Sequence, residues 1–179
     1  MYRLLIVLLL ASFSAVAAPS FYQIDLIVFT HVPAQQHHIH PALIIPHTKN
    51  SVDLGRGPMQ SKTPYQCLPA TSSQLEKEYW ALSHQAAYQV LFHRSWLQPF
   101  KNEKPVAISE INRSGWTVNG FIKVKRGQYY VLDSSLRVED TNHRDSSFVV
   151  SLKKRLKPKV VYYLDNPTVG LLIKIHRIT

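Results

Sequence analysis

The chain has 179 residues, one cysteine and a formal net charge of +10 at pH 7. A single cysteine excludes an intramolecular disulfide, so the fold must be held together by packing. The charge is uneven, because residues 101–179 hold 15 Lys or Arg against 7 Asp or Glu, whereas residues 18–100 hold 5 against 4. A field of one sign attracts anionic partners but does not determine a fold.

The chain begins with the pattern of a cleaved secretory signal peptide. Arg3 precedes an apolar run from Leu4 to Leu10, and Ala15-Val16-Ala17 forms an A-x-A cleavage site. The run is shorter than the roughly 20 residues of a membrane-spanning helix. We therefore expect residues 1–17 to be removed, leaving a single domain over residues 18–179 outside the cytoplasm, without a stable membrane anchor. Export argues against nucleic acid as a partner and leaves cell-wall polymer, anionic lipid or an acidic protein.

The first half of the exported chain predicts one strand, one long loop and one helix. Residues 21–31 alternate between apolar and polar side chains, which indicates a half-buried strand. Residues 32–70 are rich in proline and histidine without periodicity, which predicts a loop or linker. Ser73 and Glu76 have the spacing of a capping box, and the apolar residues after them predict an amphipathic helix over residues 73–84.

The second half predicts strands joined by short connections. Residues 88–98 are apolar on both faces, which is typical of a strand inside a sheet. Alternation predicts Tyr88, Val90 and Phe92 on one face and Leu91 and Leu97 on the other. A turn at Gly127 predicts a hairpin. The strands predicted after residue 98 are 116–125, 129–139, 148–156, 160–164 and 171–178. Seven strands and one helix predict an α+β fold, mainly antiparallel β-sheet with one clear amphipathic helix.

Two patterns carry a resemblance to a known family. They are His93-x-x-Trp96-x-Gln98-Pro99 and Tyr163-x-Asp165-x-Pro167-x-x-Gly170, supported by residues 22–29 and 120–132. With these segments the exported chain resembles the CsiV family of periplasmic peptidoglycan-binding proteins over nearly its whole length. The resemblance implies a non-catalytic protein that binds peptidoglycan and supports cell-wall synthesis or cell shape, with the synthesis machinery as a further partner.

The motifs of wall hydrolases are incomplete. His38-Ile39-His40 matches half of a zinc peptidase site, but H-x-x-x-D and H-E-x-x-H do not occur. G-x-S-x-G is also absent, and Cys67 has no helix N-terminus beside it to activate its thiol. Asp165 and Gly170 are interpreted as turn residues rather than as part of a site. We expect no enzyme activity, no metal and no cofactor, with a metal-dependent wall hydrolase as the weaker alternative.

Binding to peptidoglycan asks for simpler chemistry than catalysis. Sugar faces suit aromatic rings, and stem-peptide carboxylates suit amides and cations. Eight residues on strands or at strand ends are candidates for these contacts: Trp96, Gln98, Arg113, Trp116, Lys123, Lys125, Lys153 and Arg155. The aromatic residues could instead pack in the core, and the cations could keep a strand edge from pairing. An envelope adaptor that binds protein partners is the alternative function.

Overall fold

The computed structural model describes residues 21–32, 50–54, 64–141, 147–165 and 167–178. The predicted signal peptide and the histidines of residues 32–70 therefore lie outside the described residues. Ten strands and one α-helix are formed within the described residues: β1 (Phe21–His31), β2 (Val52–Asp53), β3 (Gln66–Leu68), α1 (Glu76–Ser83), β4 (Tyr88–Pro99), β5 (Val106–Arg113), β6 (Trp116–Arg126), β7 (Tyr130–Asp140), β8 (Ser147–Leu156), β9 (Val161–Asp165) and β10 (Val169–Ile178).

These strands form two five-stranded sheets. The first sheet has the order β3-β4-β1-β10-β9, and the second has the order β2-β5-β6-β7-β8. Neighbouring strands are antiparallel, apart from the parallel pair of β2 and β5. The predicted α+β class, mainly antiparallel with one helix, is confirmed.

Three strands were not predicted from the sequence. Strands β2 and β3 have 2 and 3 residues, which is too short for alternation to show, and both lie in the segment predicted as a loop. No strand was predicted over the polar stretch between residue 98 and Trp116, where β5 lies. Its pairing with β6 shifts between Ile108 and Ile111, and this irregularity breaks the alternation of its side chains.

The two sheets pack face to face around one core. Alternate residues of β1, including Tyr22 and Ile24, join a cluster that also holds Ile122 and Leu132 of the second sheet. The Tyr22 hydroxyl donates a hydrogen bond to the Val124 carbonyl at 3.2 Å, which links the sheets through a polar contact inside this core.

The other face of the first sheet is covered in part by α1. Ile27 and Phe29 of β1 form a second cluster, and the helix residues Tyr79 and Leu82 pack against it. The helix begins at Glu76 rather than at the predicted residue 73, and the predicted capping box is not formed, since the N-cap residue is Leu75 without a side-chain cap. The Ser73 hydroxyl instead accepts a hydrogen bond from the Leu75 amide before the helix begins. The molecule therefore has three layers: the second sheet, the first sheet and the helix.

An irregularity in β4 changes which side chains share a face. Strand β4 lies inside the first sheet, as predicted, but its register against β1 shifts between Val28 and Phe29. Leu91 and Phe92 consequently both enter the core between the sheets, whereas Val90 packs on the helix side. The prediction that Val90 and Phe92 share one face is wrong, since simple alternation does not extend across a bulge.

Candidate ligand-binding surfaces

Four of the predicted cations lie together on the outer face of the second sheet. In the strand register, Lys123 and Lys153 lie opposite Asp133, one on each side of β7. Lys125 and Arg155 likewise lie opposite Val131. We call these four cations, Lys123, Lys125, Lys153 and Arg155, the basic face. Strand spacing and residue rise place their backbones within a patch of about 10 by 7 Å. That size is close to the Debye length of about 8 Å at physiological ionic strength, so the cations act as one positive field.

The position of the basic face in the sheet separates two roles for its cations. Strand β8 is an edge of the second sheet, where Lys153 and Arg155 also discourage pairing with another sheet. Strand β6 lies between β5 and β7, so Lys123 and Lys125 protect no edge. Lys125, Lys153 and Arg155 are exposed and Lys123 is half-buried. Protection of a sheet edge therefore does not explain the cations of β6.

Three other candidate residues lie in the core. Trp96 is 0% exposed, Gln98 is 1% exposed and Trp116 is 8% exposed. The Gln98 side-chain amide donates hydrogen bonds to the carbonyls of Asn102 and Val124, each at 3.0 Å. A polymer cannot reach these side chains in the folded protein, so they do not form part of a binding surface.

Arg113 is exposed but remote from the basic face. It is paired with Trp116 at the start of β6. Lys123 lies seven residues further along this strand, which corresponds to about 24 Å. The fold therefore does not bring Arg113 together with the other cations.

A second surface, which the sequence analysis missed, lies at one end of the first sheet. The His31 Nε2 atom is 2.9 Å from an Asp165 carboxylate oxygen. The ring of Tyr163 stacks on that of Phe29, with centroids 6.1 Å apart and an interplanar angle of 13°. Tyr88 contacts both Phe29 and His31 edge-on, at 5.4 and 5.5 Å between centroids. We call this group, Phe29, His31, Tyr88, Tyr163 and Asp165, the aromatic end.

Gly170 is required for the packing of the aromatic end. A Cβ atom at this position would lie 2.3 Å from the Cζ atom of Phe29, so the ring of Phe29 rests where a side chain would otherwise be. Gly170 is paired with Asp165 inside the β9–β10 ladder. The interpretation of these two residues as turn residues is corrected: they belong to strands, and the glycine makes room for an aromatic ring.

Asp25 forms a buried polar cluster beneath the helix layer. Its carboxylate is 0% exposed and accepts hydrogen bonds from the Ser95 hydroxyl at 2.6 Å and the Gln23 amide at 2.8 Å. The His176 Nδ1 atom lies 3.8 Å from its other oxygen. Burial lowers the pKa of His176 and of the nearby His93, while the charge of Asp25 opposes both shifts. This cluster is closed to a polymer and lies on the helix side of the first sheet.

Within the described ranges, no three or more His, Cys, Asp or Glu side chains are placed to hold a metal ion. His38-Ile39-His40 lies outside those ranges. No helix in the described part of the chain is long and apolar enough to cross a membrane.

These features define an antiparallel two-sheet protein with a helix layer and with candidate ligand-binding surfaces on its outer faces. The family model described as peptidoglycan-binding protein CsiV matches residues 1–178. The chain therefore belongs to the CsiV family, and the resemblance predicted from its sequence patterns is confirmed. No curated protein and no solved structure shows a significant match to the chain.

Proposed function

We propose that this protein is a periplasmic, non-enzymatic peptidoglycan-binding protein whose basic face binds stem-peptide carboxylates. The description of its family names peptidoglycan as the ligand. The observation that carries the proposal is the register that gathers Lys123, Lys125, Lys153 and Arg155 on one outer face. Two of these cations lie on an interior strand, where edge protection does not account for them.

The chemistry of the basic face suits a polymer that repeats its carboxylates. Arg155 can bind a carboxylate with two parallel hydrogen bonds, whereas the three lysines act as point charges. Each exposed ion pair contributes only about 0.2–1 kcal/mol. A single stem peptide is therefore held weakly, and a wall fragment with many peptides gains from repeated local rebinding. Binding of this kind keeps the protein at the wall, where it supports wall synthesis or cell shape.

Sedimentation with purified sacculi tests this function. The exported protein should pellet with sacculi at low salt and be released toward 1 M salt, where the Debye length falls to about 3 Å. The double variant Lys153→Glu/Arg155→Glu should lose about 1–2 kcal/mol, which is roughly 5- to 30-fold in affinity, because attraction becomes repulsion. Lys77→Glu, compared with Lys153→Glu alone, is the matched control, since it makes the same change in net charge at an exposed position on the helix, on the other side of the molecule.

The outcomes separate the components of the proposal. Salt-insensitive binding that tolerates the double variant contradicts the basic face as the contact. A protein that stays in the supernatant with every sacculus preparation contradicts peptidoglycan binding and favours the adaptor. Degradation of sacculi that EDTA stops contradicts the non-enzymatic assignment and favours the metal-dependent hydrolase.

A further inference from the structure

We propose that the aromatic end is a saccharide subsite that takes one uncharged N-acetylhexosamine ring of a glycan strand, stacked on Tyr163. The inference rests on the proposed function, because it gives the same polymer a second contact of different chemistry. It is carried by the side chains that β1, β4, β9 and β10 bring together around Phe29.

Tyr163 has the properties of a rigid stacking platform. Its side chain is 50% exposed on β9, an edge strand, while the Phe29 ring beneath it is 1% exposed. The near-parallel stacking of the two rings holds one face of Tyr163 in the protein. A ring fixed by packing loses little conformational entropy on binding, so more of its contact energy with a sugar remains as affinity.

Polar groups that can bind sugar hydroxyls surround this ring. Partial burial and a hydrogen bond to Asp165 raise the pKa of Tyr163 to about 12, so its hydroxyl stays protonated at neutral pH. The side chains of His31 and Asp165 are 24% and 46% exposed, and their mutual contact fixes both groups beside the platform. A carboxylate accepts hydrogen bonds from hydroxyl groups, and an imidazole can donate or accept them.

The charge of the aromatic end favours the glycan over the stem peptide. Asp165 places a carboxylate at the site, and a second carboxylate from a stem peptide would be repelled by it. A neutral sugar ring presents both hydroxyl groups and an apolar face without this repulsion. The basic face lies on the outer face of the opposite sheet, so one short ligand cannot touch both surfaces and their contributions should add independently.

Titration with tetra-N-acetylchitotetraose tests the subsite, because this oligosaccharide carries neither peptide nor charge. Chemical-shift perturbation on the exported protein should show binding localised to the aromatic end, with an affinity that does not change between low salt and 1 M salt. Tyr163→Ala should weaken this affinity at least about fivefold through loss of stacking. Tyr163→Phe keeps the ring and should lose less, and it also serves if Tyr163→Ala fails to fold. Lys153→Glu/Arg155→Glu should bind the oligosaccharide as the wild type does.

The result can overturn the subsite without affecting the proposed function. A wild-type protein that pellets with sacculi but shows no binding of the oligosaccharide contradicts the subsite alone. The same conclusion follows if folded Tyr163→Ala binds the oligosaccharide as tightly as the wild type. Failure to pellet with sacculi contradicts the proposed function separately.

Discussion

The basic face and the aromatic end lie on opposite sides of the molecule and differ in how they are built. The basic face comes from alternate residues of β6 and β8, and none of its four cations belongs to the core. The aromatic end is continuous with the core, because Phe29 is buried and rests on Gly170. Substitutions in the basic face should therefore change binding with little change in stability, whereas substitutions in the aromatic end can affect both.

The two surfaces also differ in the range of their interactions. Charge acts over about 8 Å at physiological ionic strength and fades as salt is added. Stacking requires contact between ring and ligand and is almost unaffected by salt. A protein with both would use the basic face to remain near the wall and the aromatic end to hold a particular sugar. Variants that affect one surface, both surfaces or neither can test this division.

The largest expected effect comes from the core beneath both surfaces. Trp96 is fully buried between the sheets, so Trp96→Ala should destabilise the fold by about 3–5 kcal/mol. This loss is a large part of the roughly 5–15 kcal/mol that stabilises a typical domain. Urea denaturation should show a lower midpoint, and binding to sacculi and to oligosaccharide should fall together. A stable Trp96→Ala protein that has lost only sacculus binding would instead make Trp96 a ligand contact.

Of the two binding surfaces, Gly170→Ala should affect only the aromatic end. The new Cβ atom would overlap the Phe29 ring, so the ring must move and Tyr163 loses its support. We expect a loss of about 1–3 kcal/mol in stability and weaker oligosaccharide binding, with salt-dependent sacculus binding retained. Gly127→Ala is the matched control, since the nearest atom to its Cβ would be the Tyr129 carbonyl oxygen at an ordinary 3.7 Å. Equal effects of the two variants would contradict the steric explanation.

Strand assignment succeeded where alternation was long and regular. Strand β1 has the predicted bounds, but residues 22–30 are buried on both faces rather than on one, so the half-buried prediction is wrong; β7 differs by one residue at each end. Strands were not predictable where a bulge interrupts the pattern, as in β5, or where they are as short as β2 and β3. A bulge is set by how a strand pairs with its neighbour in the sheet, so the residues of the strand itself carry little sign of it.

The candidate surfaces were predictable to different degrees for the same reason. Alternation indicated that Lys153 and Arg155 face outward, but only the register through β7 places them beside the cations of β6. Residue type alone could not separate a buried Trp96 from a stacking platform. The aromatic end unites side chains that are far apart in sequence, and its only local signal was the Tyr163-x-Asp165-x-Pro167-x-x-Gly170 pattern.

A smaller effect is expected from pH, on the helix side of the first sheet. Burial lowers the pKa of His93 and His176 below the ordinary value of 6.5. Because the unfolded chain then binds more protons, stability should be highest above about pH 7 and fall as the pH decreases through 6.5. Asp25 opposes both shifts, Glu76 opposes that of His93, and Lys174 and Lys159 add to that of His176.

Urea midpoints measured from pH 8 to pH 5.5 check this expectation. His176→Gln removes one of the two groups, so the fall in stability across this range should be smaller than in the wild type. Since the cluster lies under the helix layer, the salt dependence of sacculus binding should be the same in His176→Gln and the wild type at pH 8. A wild-type midpoint that stays constant or rises on acidification would contradict the role of buried histidines.

The smallest expected effect is a gain of binding at the centre of the basic face. In the strand register, Asp133 lies between Lys123 on one side and Lys153 on the other. The four cations and this carboxylate therefore have a net charge of +3. Asp133→Asn raises this charge to +4 and should tighten sacculus binding by about 0.2–1 kcal/mol, or roughly 1.4- to 5-fold.

The gain in Asp133→Asn should vanish at 1 M salt and should not extend to the uncharged oligosaccharide, because only the basic face has changed. Glu76→Gln on the helix makes the same change in net charge on the other side of the molecule. An equal gain in both variants would attribute the attraction to the charge of the whole protein rather than to the basic face. Weaker binding by Asp133→Asn would show that the carboxylate orients the neighbouring lysines, and the simple sum of charges would then be the wrong description of this surface.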